Sequence, residues 1–531
     1  MIKVRDNGRK KLFGGVAVLT LSTLAVKITG LLYKIPLIKL VGIEGMAYFL
    51  AAYHIYALIF VLSTAGLPVA TSVLISKSLA KKNRRETEKV FYVSLVLFSS
   101  VGAILSVLTF VFAKFIADAI KIPEAALCIK AIAPAVLASA AGGAARGYFQ
   151  GFQDMKPTAI SQMIEALCKL ALGIFFVRLA QFYGAPVEVS SAAAILGLTA
   201  GTFLSTLYLF AKYLFFKKKN ADDTAGEAKP TGKIVKELLG LALPITVGAV
   251  VINITGIADT ALIPSRLIAG GFSSSSANIM FSAYGNVAIP LFNATPSFLS
   301  SVATVLTPLV ASAAFEKQFD RERELIGSGV KAASIFGIPA AVGLAVFGYD
   351  VIELLYGSGE SAAIAAPLLS VISPAILFLS FITVSNAVLQ AEGHAEKPVI
   401  AMGIGAAVKI VLEYFLTAIP GVNIYGAAIS TLACYAVIAV VDTYFIEKHT
   451  AGSCRVGEAF IRPLIAAVFA TAAALVLRAF TGANIIIVII ADAVVYFAFA
   501  AKINAVTKDD MTLLPAGEKI YKIMNKAKLM R

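Results

Sequence analysis

The sequence predicts an all-α polytopic membrane protein. Fourteen transmembrane helices form two pseudo-symmetric six-helix lobes (helices 1–6 and 7–12) plus two extra helices, with both termini cytoplasmic. Three observations predict this. Apolar stretches of about 20 residues, the length that crosses ~30 Å of hydrocarbon, recur along the whole chain. Threading them alternately puts most Lys and Arg on one side. One half of the chain echoes the other 240 positions later.

Composition narrows the class. Of 531 residues, 59% are hydrophobic and 15% charged, and mean hydropathy is +0.85. Soluble domains carry about a quarter charged residues, and their helices need polar faces that these stretches lack. The net charge of +15 therefore reads as membrane topology rather than nucleic-acid affinity. Cys128, Cys168, Cys434 and Cys454 show no metal-ligand spacing, and His54, His394 and His449 are too scattered for a metal or a catalytic triad. There is no Walker A motif and no Gly-rich nucleotide loop, so no nucleotide is expected. The first apolar segment follows a basic stretch without a small-residue cleavage site, and it reads as an uncleaved first helix.

The expected spans are 13–38, 47–75, 90–113, 127–151, 158–182, 190–215, 236–262, 279–313, 328–349, 364–391, 398–418, 424–446, 460–480 and 483–503. With the N-terminus inside, 35 of the 46 Lys and Arg face the cytoplasm, seven face outward and four lie within spans. An odd number of spans would destroy this asymmetry. The domains follow: an N-lobe at 1–216, a cytoplasmic linker at 217–235, a C-lobe at 236–450, helices 13–14 at 451–503 and a basic cytoplasmic tail at 504–531. The end of that tail, after Pro515, has the pattern of a short basic amphipathic helix or of a solvated segment.

The echo makes the two lobes copies. Pro134 and Pro374, Gln150 and Gln390, and Lys169 and Lys409 are each 240 apart, and Pro157 and Pro398 follow with a slip of one. Lys27-Ile28-Thr29-Gly30 in helix one resembles Asn253-Ile254-Thr255-Gly256 in helix seven. Each copy holds an even number of spans, so both start inside and are related by an axis along the membrane normal.

Ionisable residues inside spans are costly and mark pathways by default. Helix one carries Lys27 and Lys34, seven apart and thus on one face, with Pro36 expected to kink the helix. They suit an anionic headgroup, although Lys34 is also placed to snorkel to the outer interface. Helix five carries Glu165 and Lys169, and helix eleven Lys409 and Glu413, each at i,i+4. That spacing lets each pair neutralise itself, as a structural pair or as a switch that repartners. Helix seven carries Asn253 and Asp259, with Asp259 expected to pair with Lys409 or to take up a coupling ion. Arg146 and Gln150, at the cytoplasmic end of helix four, are placed to meet a substrate phosphate or lipid headgroups.

Five segments carry a family resemblance: KITGLLYKIPLIKLVGIEG (27–45), STAGLPVA (63–70), RGYFQGFQDMKPTAISQMIE (146–165), LALPITVG (241–248) with ADTALIPSRL (258–267), and VNIYGAAISTLACY (422–435). On these the chain resembles the polysaccharide-transporter branch of the multidrug/oligosaccharidyl-lipid/polysaccharide exporter superfamily. It is most similar to the stage V sporulation protein B group, which is related to the MurJ-type lipid II flippases. The resemblance implies two six-helix lobes around a central cavity and alternating access. The implied cargo is a polyprenyl-pyrophosphate-linked glycan, such as a cell-wall or spore-cortex precursor, moved from inner to outer leaflet of the bacterial cytoplasmic membrane.

It also implies no enzymatic activity and no resident cofactor, with coupling to Na⁺, H⁺ or membrane potential. The expected partners are the lipid bilayer and the glycan-lipid, with no nucleic acid and no nucleotide, in a chain that functions as a monomer. The first-helix cavity cation of MurJ-type flippases falls on Lys27, and the next on Tyr33 or Lys34. The cations of helices two and eight have no match, since Phe60 and Gly285 lie there. Lys409 and Glu413 fall where related flippases tend to have Asn or Asp, so a tethered ammonium would replace a bound Na⁺. The rival readings are a cation-coupled drug antiporter of the same superfamily and a non-transporting scaffold for envelope or spore assembly.

Overall fold

A computed structural model describes residues 2–64, 66–219, 227–450, 456–503 and 505. Within them, the side chains of 2–25, 27, 28, 31, 217–219, 244, 245, 247–249, 251–253, 295–298, 300, 301, 304, 305, 308 and 456–458 lie outside the description. Lys27, Asn253 and the tail after Pro515 therefore fall outside the described residues or side chains.

The described chain is helical throughout. The helices are α1 (Ile2–Thr64), α2 (Leu67–Ala80), α3 (Arg84–Val111), α4 (Ala113–Ala119), α5 (Ala126–Gly151), α6 (Lys156–Phe182), α7 (Val187–Lys219), α8 (Thr231–Ala269) and α9 (Ser274–Ser282). A π-helical turn at Ala283–Ala288 leads into α10 (Ile289–Phe315). Then come α11 (Phe319–Tyr356), α12 (Glu360–Ile372), α13 (Ala375–Ala391), α14 (Glu396–Leu416), α15 (Tyr425–His449), α16 (Val456–Thr481) and α17 (Ile485–Lys502). The expected spans fall mostly on helix. Among the described residues nine helices are long and apolar enough to cross a membrane, or ten if the bent α12–α13 pair is one span.

Three breaks refine the expected spans. The long first helix is interrupted at Gly42 (φ 73°, ψ 169°), not at Pro36, which sits inside helix. Only glycine takes that positive φ at little cost, so the chain turns where the side chain is absent. The span expected at 364–391 is two helices bent by 55°. Pro374 has no N–H to continue the ladder, and just before it the Ser373 N–H and hydroxyl both donate to the Leu369 carbonyl, at 2.9 and 2.5 Å. The π turn precedes Pro290, whose missing N–H the wider turn accommodates.

By internal contacts the chain divides into two compact units. The first comprises 1–265 with 273–282, and the second 266–272 with 283–531. This partition takes most of α8 into the first unit, whereas the sequence places a lobe boundary in the 217–235 linker.

Small residues let the helices of the first unit approach closely, as interhelical packing in lipid requires. α6 and α7 meet at Gly173 and Gly197, where a Cβ on Gly197 would strike the backbone of Gly173. One turn on, a Cβ on Gly201 would lie 2.9 Å from the Glu165 carbonyl. Thr199 and Thr206 of α7 donate to the carbonyls of Ala131 (2.7 Å) and Ala138 (2.9 Å) on α5.

In the second unit the last two helices pack on α11. Tyr496 Oη donates to the Ile335 carbonyl (2.8 Å), Ser334 Oγ to the Ala459 carbonyl (2.8 Å), and Arg478 forks onto Asp350 at 2.5 and 2.6 Å.

The backbone approach at Gly197 gives a direct test. Gly→Ala ordinarily favours a helix, by about 1 kcal/mol, but here the methyl has no space. Gly197→Ala is expected to cost about 1–3 kcal/mol and to lower the unfolding temperature in detergent. Gly240→Ala, with nothing within 4 Å of the added methyl, should not lower it.

Candidate functional site

Arg146 of α5 and Glu165 and Lys169 of α6 lie partly buried between packed helices of the first unit. Glu165 and Lys169 lie on one face of α6, but they do not pair with each other. Arg146 of α5 takes the carboxylate instead, its guanidinium 3.0 Å from Glu165 Oε2. Arg146 Nε also donates to Ser161 Oγ (3.2 Å), and Thr202 of α7 donates to Glu165 Oε1 (3.4 Å). One carboxylate thus ties α5, α6 and α7 together. Gln150, one turn beyond Arg146, is half-buried, and its backbone carbonyl accepts from the Gln153 N–H (2.9 Å).

Lys169 faces α1. Its Nζ lies 5.2 Å from the ring centre of Tyr33, 5.1 Å from Tyr53 and 5.9 Å from Phe49. Three ring faces supply the negative side of their quadrupoles to one ammonium. Among the described residues no carboxylate lies within ion-pair distance of it. The rings are fixed in place: Tyr33 Oη donates to the Ala194 carbonyl (3.1 Å), and Phe49 and Tyr53 stack at 6.3 Å. Gly173, one turn from Lys169, leaves the space that Tyr33 fills. Lys34 is half-buried and within electrostatic reach of Lys169. Asp259 is buried at 8% exposure, and the adjacent Thr260 bonds His54 Nδ1 at 2.6 Å.

The Arg146–Phe152 run owes its composition to what surrounds it. Gly147 and Gly151 let α5 lie against Pro68 and Ile75 of α2. Tyr148 Oη donates to Glu88 Oε1 (2.8 Å) and Tyr213 Oη to Glu88 Oε2 (2.7 Å), while Arg84 pairs with Glu88 at 3.3 Å. The Arg84 guanidinium also lies over Phe152 at 5.1 Å. Motif residues therefore close one end of the unit, and only Arg146 reaches the α6 charges.

In the second unit Lys409 and Glu413 stand 3.9 Å apart at 5% and 0% exposure, as their spacing predicts. Arg266 donates to the Tyr414 carbonyl (2.9 Å) and covers the Tyr414 ring at 4.0 Å. Two features went unmarked in the sequence reading. Asp442 of α15 is fully buried, and its only signal is an acid in an otherwise apolar stretch. Glu392, just past α13, shares a hydrogen bond with Glu322. That contact joins residues 70 positions apart, and no local pattern announces it.

A polytopic helical membrane protein is the class that this fold defines. The chain belongs to the polysaccharide biosynthesis protein family (Polysacc_synt), whose model matches residues 12–314, and the MatE model matches residues 281–415. The curated relatives include the uncharacterized membrane protein YabM of Bacillus subtilis, 30% identical over 443 residues, covering 83% of this chain and 81% of that protein. Stage V sporulation protein B of the same organism is 26% identical, covering 84% and 85%. Its Lipid II flippase MurJ is also 26% identical, covering 84% of each.

Among solved structures, Lipid II flippase MurJ in an inward closed conformation superposes with a TM-score of 0.72 at 17% identity, covering 91% of this chain and 98% of that one. An inward-facing multidrug resistance MATE family transporter gives 0.67 at 15%, covering 83% and 98%. The family model and the curated relatives place the chain in the polysaccharide-transporter branch of the exporter superfamily, as a multi-pass membrane protein.

Two outcomes test the geometry. Arg146→Ala leaves Glu165 to Thr202 alone and should cost about 1–3 kcal/mol, read as a lower unfolding temperature. Arg146→Ala with Glu165→Gln should recover part of that loss, and equal losses would contradict the pairing.

Burial, then the Glu322 charge and hydrogen bond, push Glu392 from 4.5 up to about 7. A raised carboxyl favours the folded state below its unfolded value and loses that contribution as pH rises through about 7. The unfolding temperature should therefore fall between pH 5 and 8, and Glu392→Gln should flatten part of that fall.

Proposed function

We propose that this protein is a glycan-lipid flippase. It carries a polyprenyl-pyrophosphate-linked glycan, of the kind used for cell wall or spore cortex, from the inner to the outer leaflet of the cytoplasmic membrane by alternating access. Fourteen spans, cytoplasmic termini and function as a monomer belong to this reading. The single observation that carries it is Lys169: an ammonium on a helix expected from the sequence to span the membrane, framed by three rings and, among the described residues, lacking a carboxylate within ion-pair distance.

A pyrophosphate is the anion such a cation would hold. Lys34 adds a second positive charge nearby, and Lys27 lies on the same helix, seven residues earlier. Charge-assisted contacts to phosphate are among the stronger polar interactions available, and the dry setting strengthens them further. Arg146 and Gln150 would guide the headgroup at the cytoplasmic entrance, while Glu165 keeps Arg146 in place. Asn253 and Asp259 on α8, and Lys409 with Glu413 on α14, are assigned to coupling or switching. Similarity to Lipid II flippase MurJ supports the substrate class. A drug antiporter would need an acidic site for cationic cargo, and the α1–α6 cluster carries lysines.

The experiment is headgroup accessibility of labelled lipid II in proteoliposomes, beside complementation in a flippase-depleted strain. Wild type is expected to flip, Lys27→Ala to lose complementation at normal expression, and Lys169→Gln to slow flipping at least about tenfold, the loss of one contact of about 1.4 kcal/mol. Full activity in both variants would overturn the assignment.

A further inference from the structure

Asp442 is a charge-bearing group of the second unit whose complete burial the pairings above leave unexplained. It lies in α15 at 0% exposure. Neither carboxylate oxygen has a hydrogen-bond partner among the described residues. Its neighbours along the helix, Ile438, Ala439 and Ile446, join a wholly apolar cluster with residues of α13 and α14 such as Val384, Val388 and Ala401.

The helices packed on α15 carry Glu360 on α12 and Glu396, Lys397, Lys409 and Glu413 on α14, while α13 carries no charged residue and is followed by Glu392. Tyr284 of the π turn bonds Thr431, further up α15 (2.7 Å). Lys397 sits over the Phe445 ring at 5.5 Å, and Lys409 lies beside Glu413. On α15 itself Tyr425, Tyr435, Tyr444, Glu447, Lys448 and His449 are the other titratable groups. Among the described residues none of these groups hydrogen-bonds to Asp442.

An ionised carboxylate in such a setting is too costly to persist, and the group neutralises instead. A metal ion would need several further oxygen ligands. Among the described residues no group of three or more His, Cys, Asp or Glu could hold one. A proton needs only one oxygen and no extra space. Asp442 stands seven residues before the end of α15, about 10 Å along the helix. The charge distribution places that end at the cytoplasmic side, so the route to water is short.

We propose that Asp442 is a proton-binding site. Its carboxyl is neutral in this conformation. In a second conformation the O–H bond breaks, the proton passes to cytoplasmic water and a carboxylate remains; reprotonation reverses the step. Because the packing described above cannot hold the carboxylate, protonation and conformation are linked, and a proton gradient biases transport. The transport half of this inference rests on the flippase reading, whereas the protonation half does not.

Two measurements on the purified full-length protein separate them. Infrared difference spectra should show a protonated-carboxyl band at pH 7 that disappears in Asp442→Asn. Asn keeps the size and neutrality of the protonated acid, so that variant should fold.

In proteoliposomes with labelled lipid II as probe, a gradient of about one pH unit should change the transbilayer ratio up to about tenfold per coupled proton. Asp442→Asn should flip with no response to the gradient. Absence of the Asp442-dependent band would overturn the site, and a gradient response kept by Asp442→Asn would overturn the coupling. If wild type flips no lipid II, the flippase reading fails while the infrared result still decides whether Asp442 carries a proton.

Discussion

Hydrocarbon tolerates no uncompensated charge, and the first unit is built around meeting that constraint on α6. Glu165 is met by a guanidinium and a hydroxyl from two neighbouring helices. Lys169 is met by ring faces. The difference has a functional consequence. A carboxylate beside Lys169 would cancel its charge, whereas aromatic rings lower the cost of burying it while leaving the ammonium's affinity for an anion. The second unit meets the same constraint differently, since Lys409, the echo of Lys169, has Glu413 at 3.9 Å. Lys169 and Lys409, 240 positions apart in the sequence, thus differ in what surrounds them.

The other requirement is close helix approach. The glycines at 147, 151, 173, 197 and 201 each remove a side chain where another helix or ring must pass. Gly173 does both jobs, admitting α7 on one side and Tyr33 on the other. The aromatic frame of Lys169 therefore depends on the packing of α6 and α7, not only on α1. At the opposite end of α5, Glu88 gathers Tyr148, Tyr213 and Arg84 into one network. That network holds the end of α5 from which Arg146 reaches Glu165.

Much of this was legible in the sequence. Apolar length gave the helical, many-spanning character of the chain, since the expected spans fall mostly on helix. The i,i+4 spacing gave the Lys409–Glu413 pair, because both partners lie on one helix. The same spacing misled at Glu165 and Lys169. There the competing partner, Arg146, comes from a helix whose rotation the sequence does not fix. The aromatic frame was illegible for a similar reason: Tyr33, Phe49 and Tyr53 meet Lys169 only through the crossing of α1 and α6. The break at Gly42 rather than Pro36 shows that a helix in this setting absorbs a proline more readily than it passes up a glycine turn. Asp442 was visible as an acid in an apolar stretch, but its isolation is a property of three helices together.

The central claim is that positive charge in the first unit holds a pyrophosphate. Binding is its most direct measure: titrate the purified protein in nanodiscs with undecaprenyl pyrophosphate and with the neutral polyprenol, then repeat with Lys34→Gln/Lys169→Gln. The account predicts that wild type prefers the pyrophosphate by at least about tenfold, a contact of about 1.4 kcal/mol, and that the double variant loses this preference while still binding the polyprenol. Equal binding of both lipids by wild type, or an undiminished preference in the double variant, would contradict it.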